Sequence, residues 1–184
     1  MSAATILSHD WFPRPLPDNV VIGARSWCYS SYAFLHYRSR RERGVRVGSD
    51  SGIYHGTFFD LGPDGEVEIG NFCTLVGSII STNSRVTIGN YAFLAHEVVV
   101  GDSSVALPPA ANGSESVAND RRQRAIVIGE NSWVGARAVI LSGANIGPGA
   151  IIGAAAIVDF EVPAGAIVAG NPARIVGWVN ENRN

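Results

Sequence analysis

Large aliphatic residues recur every six positions along residues 128–164, and a small or apolar residue follows each of them four positions later. A period of six is too long for one face of a helix and too regular for unrelated strands. Such fixed self-similarity predicts a solenoid, in which neighbouring repeats bury one another. The aliphatic positions are Ile128, Val134, Ile140, Ile146, Ile152 and Val158, and the following positions are Ser132, Ala138, Ala144, Ala150, Ala156 and Val162.

A six-residue period is typical of a β-helix in which each repeat forms one short strand and one corner. Three repeats, or 18 residues, complete one triangular coil of this chain. Successive coils stack at the inter-strand spacing of about 4.8 Å. Residues that are 18 positions apart are therefore expected to lie one above another.

Pairs of an aliphatic residue and a glycine extend the repeat toward the start of the chain. Successive coil starts are 25, 22, 19, 40 and 18 residues apart, which is one coil plus insertions of 7, 4, 1, 22 and 0 residues. The small insertions fall near residues 37–44, 61–66 and 82–85, and the long one covers about residues 103–125. The pairs are Ile22-Gly23, Val47-Gly48, Ile69-Gly70, Ile88-Gly89, Ile128-Gly129 and Ile146-Gly147, with Ile152-Gly153 in the last coil.

These spacings predict an all-β fold, a single-stranded parallel β-helix of about six coils that spans residues 20–176. Three prolines favour an extended N-terminal arm over residues 1–19, placed across the first coil. Residues 177–184 are expected to form a short C-terminal tail. The external loop at about 103–125 is the long excursion in which binding function is most often found.

The composition of the chain limits the kinds of function and the kinds of partner that we expect. The 184-residue chain is 46% hydrophobic and 16% charged with a net charge of −2, which describes a soluble protein and gives no reason to expect nucleic acid. No apolar run is long enough to span a membrane, and the start lacks the layout of a signal peptide. Cys28 and Cys73 fall on the inward register, so we expect reduced core residues in a cytoplasmic protein.

The hexads and the segment Val162–Val176 (VPAGAIVAGNPARIV) resemble the left-handed β-helix acyltransferases, particularly the branch that ends in Gly-Asn-Pro-Ala-Lys/Arg. The resemblance implies a left-handed coil, although parallel crossovers are right-handed in most proteins. It also implies a homotrimer with active sites between protomers and no tightly bound cofactor. The expected reaction moves an acyl group from acetyl-CoA, or another acyl-CoA, to a hydroxyl or amine of a sugar-like small molecule.

Acyl transfer requires a general base and hydrogen-bond donors for the developing oxyanion. Of the four histidines, His96 lies at a predicted corner in Leu-Ala-His-Glu, which looks like the Ile-Ala-His-Asp segment of UDP-N-acetylglucosamine acyltransferases. The resemblance makes His96 the base, with Glu97 or Asp102 orienting its ring. Maltose and galactoside acetyltransferases carry their catalytic histidine later, where this chain has Gly101–Val105 and no histidine.

The position of His55 provides a second observation, which does not depend on any family resemblance. His55 lies eight residues after the coil start Val47, as His96 lies eight after Ile88. The two histidines should share one corner, two coils and about 10 Å apart. Gly77 would lie between them, leaving a recess, and Ala136 above. His55 could line an acceptor pocket with Tyr54 and Asp60, and a purely structural role is equally open.

The resemblance also implies where the acyl donor binds. Ala136 and Ala154, one coil apart, would border a groove for pantetheine, and Arg174 would approach the nucleotide phosphates. Small residues there are also a requirement of the fold itself. Relatives commonly carry Thr-Lys where this chain has Asp159-Phe160, which removes a positive charge from the groove.

Outward aromatic residues favour burial against neighbouring protomers. The repeat places four of them on the outside of the coils: Phe72, Tyr91, Phe93 and Trp133.

Two other classes remain open at this stage. A binding or scaffold protein could keep the fold without the chemistry. The segment around His96 also resembles that of γ-class carbonic anhydrases, whose zinc requires three histidines. The two other ligand positions here are occupied by Gly101 and Asp60.

Overall fold

Three parallel sheets form the sides of a triangular β-helix in the computed structural model, which describes residues 5–12, 14–102 and 125–179. The coils number about six and match a left-handed β-helix, as the repeat and the resemblance predict. Side one contains β1 (Val20–Ile22), β3 (Val45–Val47), β6 (Glu66–Ile69), β9 (Arg85–Ile88), β12 (Ile126–Ile128), β15 (Asn145–Ile146) and β18 (Glu161–Val162).

Side two contains β2 (Trp27–Cys28), β4 (Gly52–Ile53), β7 (Thr74–Leu75), β10 (Phe93–Leu94), β13 (Trp133–Val134), β16 (Ile151–Ile152) and β19 (Ala166–Ala169), and β20 (Arg174–Trp178) pairs antiparallel with β19. Side three contains β5 (Phe58–Leu61), β8 (Ile79–Thr82), β11 (Val99–Gly101), β14 (Val139–Leu141) and β17 (Ile157–Val158). In the first coil a short 3₁₀ helix, Ser31–Phe34, follows β2 and precedes side one of the next coil.

The strand register confirms the 18-residue coil. Ile128 pairs with Ile146, Val134 with Ile152 and Ile140 with Val158, each 18 positions on. The final coil is two residues shorter, because Ile146 pairs with Val162 at 16 positions.

The core is a column of inward side chains that alternate with outward ones along most of the strands. In β9, Val86 and Ile88 are buried while Arg85 is exposed. Both cysteines belong to this core as free, buried thiols, as expected. Burial raises the pKa of Cys28 to about 11 and raises that of Cys73 as well.

In six of the seven aliphatic–Gly pairs, all except Ile152-Gly153, the distance between coils requires the glycine. A Cβ built on Gly23 would lie 2.4 Å from the carbonyl oxygen of Gly48, and one on Gly129 would lie 2.6 Å from the amide nitrogen of Pro148. Real Cβ atoms do not approach backbone this closely. The pattern therefore marks the positions at which one coil touches the next.

All of the insertions leave the helix at one edge, between sides three and one. The segments 37–44, 61–66 and 82–85 lie between the 3₁₀ helix or a side-three strand and the following side-one strand. The long insertion follows β11 at the same edge, and its residues 103–124 lie outside the described residues. The edge between sides two and three, here called the second edge, therefore has no insertion in the described coils.

Helix contributes little to the part of the chain that the structure describes, and none of its helices is long and apolar enough to cross a membrane.

Gly129→Ala should lower the free energy of unfolding by about 1–3 kcal/mol, because its methyl group overlaps the next coil. The control is Gly149→Asn. Gly149 has a positive φ of 68° and no atom within 4 Å of a built Cβ, and Asn131 adopts the same backbone conformation one coil earlier, with φ 54°. Thermal denaturation that ranks Gly149→Asn as the more damaging change would refute this account of the repeat.

Candidate active site

The second edge brings His55 and His96 together. Ile53 pairs with Leu75 and Leu75 with Leu94, so the positions two residues later (His55, Gly77 and His96) also stack. Both histidines are exposed and lie in turns, as the count from the coil starts predicts. A Cβ on Gly77 would meet only the carbonyl of His55 at 3.5 Å and the amide of Glu97 at 3.8 Å, so the space between the two histidines is open.

One recess contains both imidazoles. It has a volume of about 520 Å³ and is also lined by Tyr29, Tyr54, Thr74 and Val76. Of these four, only Tyr54 was singled out from the sequence. For Tyr29 and Val76 a signal was present in the register, because they follow β2 and β7 as Tyr54 follows β4. Thr74 is the outward residue of β7 itself.

Glu97 lies beside His96 at the same corner, with a positive φ of 59°. Its carboxylate accepts a hydrogen bond of 2.7 Å from Nε of Arg137, one coil further on, and both side chains are exposed. The backbone holds the same two coils together, since the amide of Arg137 donates to the carbonyl of His96 at 2.9 Å. Glu97 thus bridges coils along the second edge.

Asp102 does not belong to the histidine corner, which corrects the expectation that it orients His96. It follows β11, at the opposite end of that strand from His96, on the edge that carries the insertions. Its buried carboxylate accepts hydrogen bonds from the hydroxyl of Thr82 at 2.5 Å and from the amide of Asn83 at 2.8 Å. These contacts show that Asp102 stabilises a corner of the preceding coil.

Asp60 is also separated from the recess. In β5, Phe59 and Leu61 point inward, so Asp60 points out from side three. There its carboxylate accepts a hydrogen bond from Ser81 at 3.3 Å and lies 3.7 Å from the guanidinium of Arg38. Tyr54, by contrast, is exposed next to His55, and its ring lies over Gly52.

Small residues continue the column beyond His96. Register along side two stacks Ala136 above His96, Ala154 above Ala136 and Gly170 above Ala154. This column spans three coil spacings, or about 14 Å. Gly170 begins the turn to β20, where Arg174 is exposed and pairs with Ala169. The residues expected to hold the acyl donor therefore lie in one line with the candidate base.

The N-terminal arm packs on the first coil at the other end of the recess. The ring of His9 stacks on Trp27 with centroids 4.0 Å apart, and its Nε2 lies 2.9 Å from the carbonyl of Cys28. Asp10 accepts hydrogen bonds of 2.7 Å from the hydroxyl of Ser30 and from the amide of Ser31. These contacts place the arm beside the second edge.

The Hexapep family, described as bacterial transferase hexapeptide (six repeats), matches residues 125–159. This match covers the regular coils after the long insertion and less than half of the chain. The chain is also 48% identical over 56 residues to 2,3,4,5-tetrahydropyridine-2,6-dicarboxylate N-acetyltransferases of Staphylococcus aureus strains JH9 and JH1. That match covers 30% of this chain and 23% of the length of those enzymes.

Solved structures share the fold of this hexapeptide-repeat protein. A hexapeptide-repeat acetyltransferase from Vibrio cholerae, solved with acetyl-CoA, has a TM-score of 0.56 and 22% identity, covering 82% of this chain and 77% of its own. An N-acyltransferase variant from Bacillus cereus was solved with dTDP-4-amino-4,6-dideoxyglucose and CoA. Its TM-score is 0.52 at 17% identity, and the match covers 89% of this chain and 82% of the Bacillus cereus chain. At these identities the likeness shows the fold alone.

The zinc alternative does not fit the residues of this hexapeptide-repeat protein. A catalytic zinc requires three protein ligands. His96 is one candidate, but Gly101 has no ligating side chain, and Asp60 points out from side three. Within residues 5–12, 14–102 and 125–179, no three His, Cys, Asp or Glu side chains are grouped to hold a metal ion.

The pKa of Asp10 sets the pH at which the arm loses its anchor. Burial would raise this pKa, but hydrogen bonds from Ser30, Ser31 and nearby backbone amides lower it from 3.8 to about 2. A carboxylate with a lowered folded pKa stabilises the protein above its unfolded pKa, and this contribution is lost as the pH falls through the folded value.

Asp10→Ala should therefore lower the melting temperature at neutral pH, and its difference from wild type should shrink as the pH falls from about 4 to about 2. Asp18→Ala, at an exposed position of the same arm, serves as the control and should have little effect. Thermal denaturation across this pH range checks both. A difference that stays constant down to about pH 2 would show that the Asp10 carboxylate does not anchor the arm.

Proposed function

We propose that this protein is an acyltransferase that moves an acetyl group from acetyl-CoA to a hydroxyl or amine of a small, sugar-like molecule, with His96 as general base. The observation that carries the proposal is the second edge, where an exposed histidine lies between an open recess and a line of small residues. The 48% identity to N-acetyltransferases over 56 residues supports the same reaction class.

The chemistry requires one proton acceptor at the meeting point of the two substrates. His96 removes the proton from the acceptor hydroxyl or amine as its oxygen or nitrogen bonds to the acetyl carbonyl carbon. The carbon–sulfur bond of the thioester then breaks, and the imidazolium returns the proton to the CoA sulfur. No metal is needed for this sequence of steps.

The donor and the acceptor approach His96 from opposite directions in this proposal. Acetyl-CoA lies along Ala136 and Ala154, where the absence of large side chains permits close approach, and Arg174 meets its phosphates. The acceptor enters on the other side, past His55 and Tyr54 in the shared recess. Glu97 supports the corner through Arg137.

We also propose a homotrimer with active sites between protomers. Aromatic rings on the outside of the coils support it. The exposed rings of Phe72 and Tyr91 stack with centroids 4.8 Å apart, and the half-buried Phe93 lies 6.2 Å from the exposed Trp133. Such surface is usually covered by protein. A cytoplasmic location is proposed as well, and the free thiols of Cys28 and Cys73 support it.

His96→Ala should reduce acetyl transfer by about 100- to 10,000-fold, the range that a general base contributes. His36→Ala is the matched control, because His36 is also exposed in a turn but lies on the edge that carries the insertions. The assay measures CoA release from acetyl-CoA in the presence of a panel of hydroxyl- and amino-sugars. Equal activity of wild type and His96→Ala on an accepted sugar would remove His96 from the reaction.

Ala154→Trp should weaken acetyl-CoA binding by at least tenfold in calorimetry, because the indole would fill the proposed groove. Ala164→Trp is the control, since Ala164 is equally exposed but lies in the turn between β18 and β19, on the edge between sides one and two. Loss of binding in Ala164→Trp alone would place acetyl-CoA on the edge between sides one and two, which would contradict the proposed groove. No acetyl-CoA binding to the wild type would favour a non-catalytic scaffold.

A further inference from the structure

A second pocket opens beside the histidine recess at the N-terminal end of the β-helix. Its volume is about 320 Å³, and it shares three lining residues with the recess, so the two pockets adjoin each other. Its walls are mostly aromatic. The rings that line it are those of Trp11, Tyr29, Tyr32, Tyr54, His55 and Phe58.

Contacts between these rings fix the shape of the pocket. Tyr32 packs edge-on against Phe58 with centroids 5.4 Å apart, and Trp11 lies 5.5 Å from Tyr32. Tyr29 packs edge-on against His55 at 5.1 Å. Rings in such tilted contacts restrain one another, so the pocket is formed in advance of any ligand.

Among the described residues, the lining of the pocket lacks acidic side chains and also lacks Lys and Arg. Two of its hydroxyls are used within the protein, because Ser30 donates to Asp10 and Thr57 donates to the carbonyl of Leu75. A charged group would lose its hydration there without a partner, whereas a ring with an apolar face would gain contact with aromatic surface.

We propose that this pocket binds the acceptor, and that the acceptor has an uncharged ring body of the pyranose or aryl kind. This inference rests on the proposed function. The ring packs against Trp11, Tyr29 and Tyr54, and its reacting hydroxyl or amine extends through the recess toward His96, which takes its proton. A dicarboxylate, such as that named for the Staphylococcus aureus enzymes, finds no Lys or Arg among the described lining residues.

Asp10 is a positioning residue for this pocket. Trp11 is 62% exposed and follows Asp10 directly, so its place depends on how the arm is held. The carboxylate of Asp10 accepts hydrogen bonds from the hydroxyl of Ser30 and the amide of Ser31, both in the first coil. Without these bonds the indole would no longer be fixed at the pocket wall.

Calorimetry without acetyl-CoA tests the ligand class. The probes are para-nitrophenyl β-D-glucopyranoside and para-nitrophenyl β-D-glucuronide, which differ by a carboxylate in place of a hydroxymethyl group. The glucoside should bind at least tenfold more tightly. Methyl β-D-glucopyranoside, tested alongside, separates the two ring types. If it binds as tightly as the aryl glucoside, the pocket holds the sugar ring. If it binds more weakly, the pocket holds the aryl ring.

Equal binding of the glucuronide, or no binding of either glucoside, would overturn the inference. Since acetyl-CoA is absent, this result is independent of catalysis. A protein that binds the glucosides but acetylates no acceptor would contradict the proposed function and leave the pocket assignment intact. A protein that acetylates only charged acceptors through His96 would contradict the pocket assignment and leave the proposed function intact.

Two variants test the role of the arm. Trp11→Ala should weaken binding of the better glucoside about 3- to 10-fold, as expected for loss of an aromatic contact. Trp178→Ala, an exposed tryptophan of β20 outside the pocket, should leave it unchanged.

Asp10→Ala should weaken binding as Trp11→Ala does, and Asp10→Asn, which keeps one acceptor oxygen, should weaken it less. The double variant Asp10→Ala/Trp11→Ala should bind no more weakly than Trp11→Ala alone, because both changes remove the same contact. Additive losses would show that Asp10 does not act through Trp11.

Discussion

The close approach of successive coils at the aliphatic–Gly positions is the constraint on which the rest of the structure depends. Built Cβ atoms on six of the seven glycines would lie no more than 2.6 Å from an atom of the next coil, as at Gly89 and Gly147. The backbone can therefore stack in one register only. That register aligns His55, Gly77 and His96 on one edge, although they are far apart in the sequence.

Placing all insertions at one edge separates two tasks. The insertion edge is stabilised by contacts such as those of Asp102 with Thr82 and Asn83. The second edge has no insertion in the described coils, and it carries the recess at His96 and the small residues beyond it. In the proposed reaction a thioester and an acceptor meet at His96 from opposite ends, the acceptor from the aromatic pocket and the donor from the side of β20.

The sequence predicts the fold well because each coil repeats the same physical requirement: an inward aliphatic residue, then a glycine at the contact. Counting in coils also places His55 and His96 on one edge. It does not place Asp60 and Asp102, since chain proximity to a histidine says nothing about which side of the triangle a residue faces. Trp11 was missed for another reason. The docking of the arm depends on the hydrogen bonds of Asp10, which no repeat encodes.

The most direct test of the account is a crystal structure of the protein with acetyl-CoA. We predict that the pantetheine lies along the second edge beside Ala136 and Ala154, with the thioester carbon close enough to His96 for an acceptor atom to lie within about 3 Å of the imidazole. Acetyl-CoA bound at another edge, with its thioester remote from His96, would contradict the central claim.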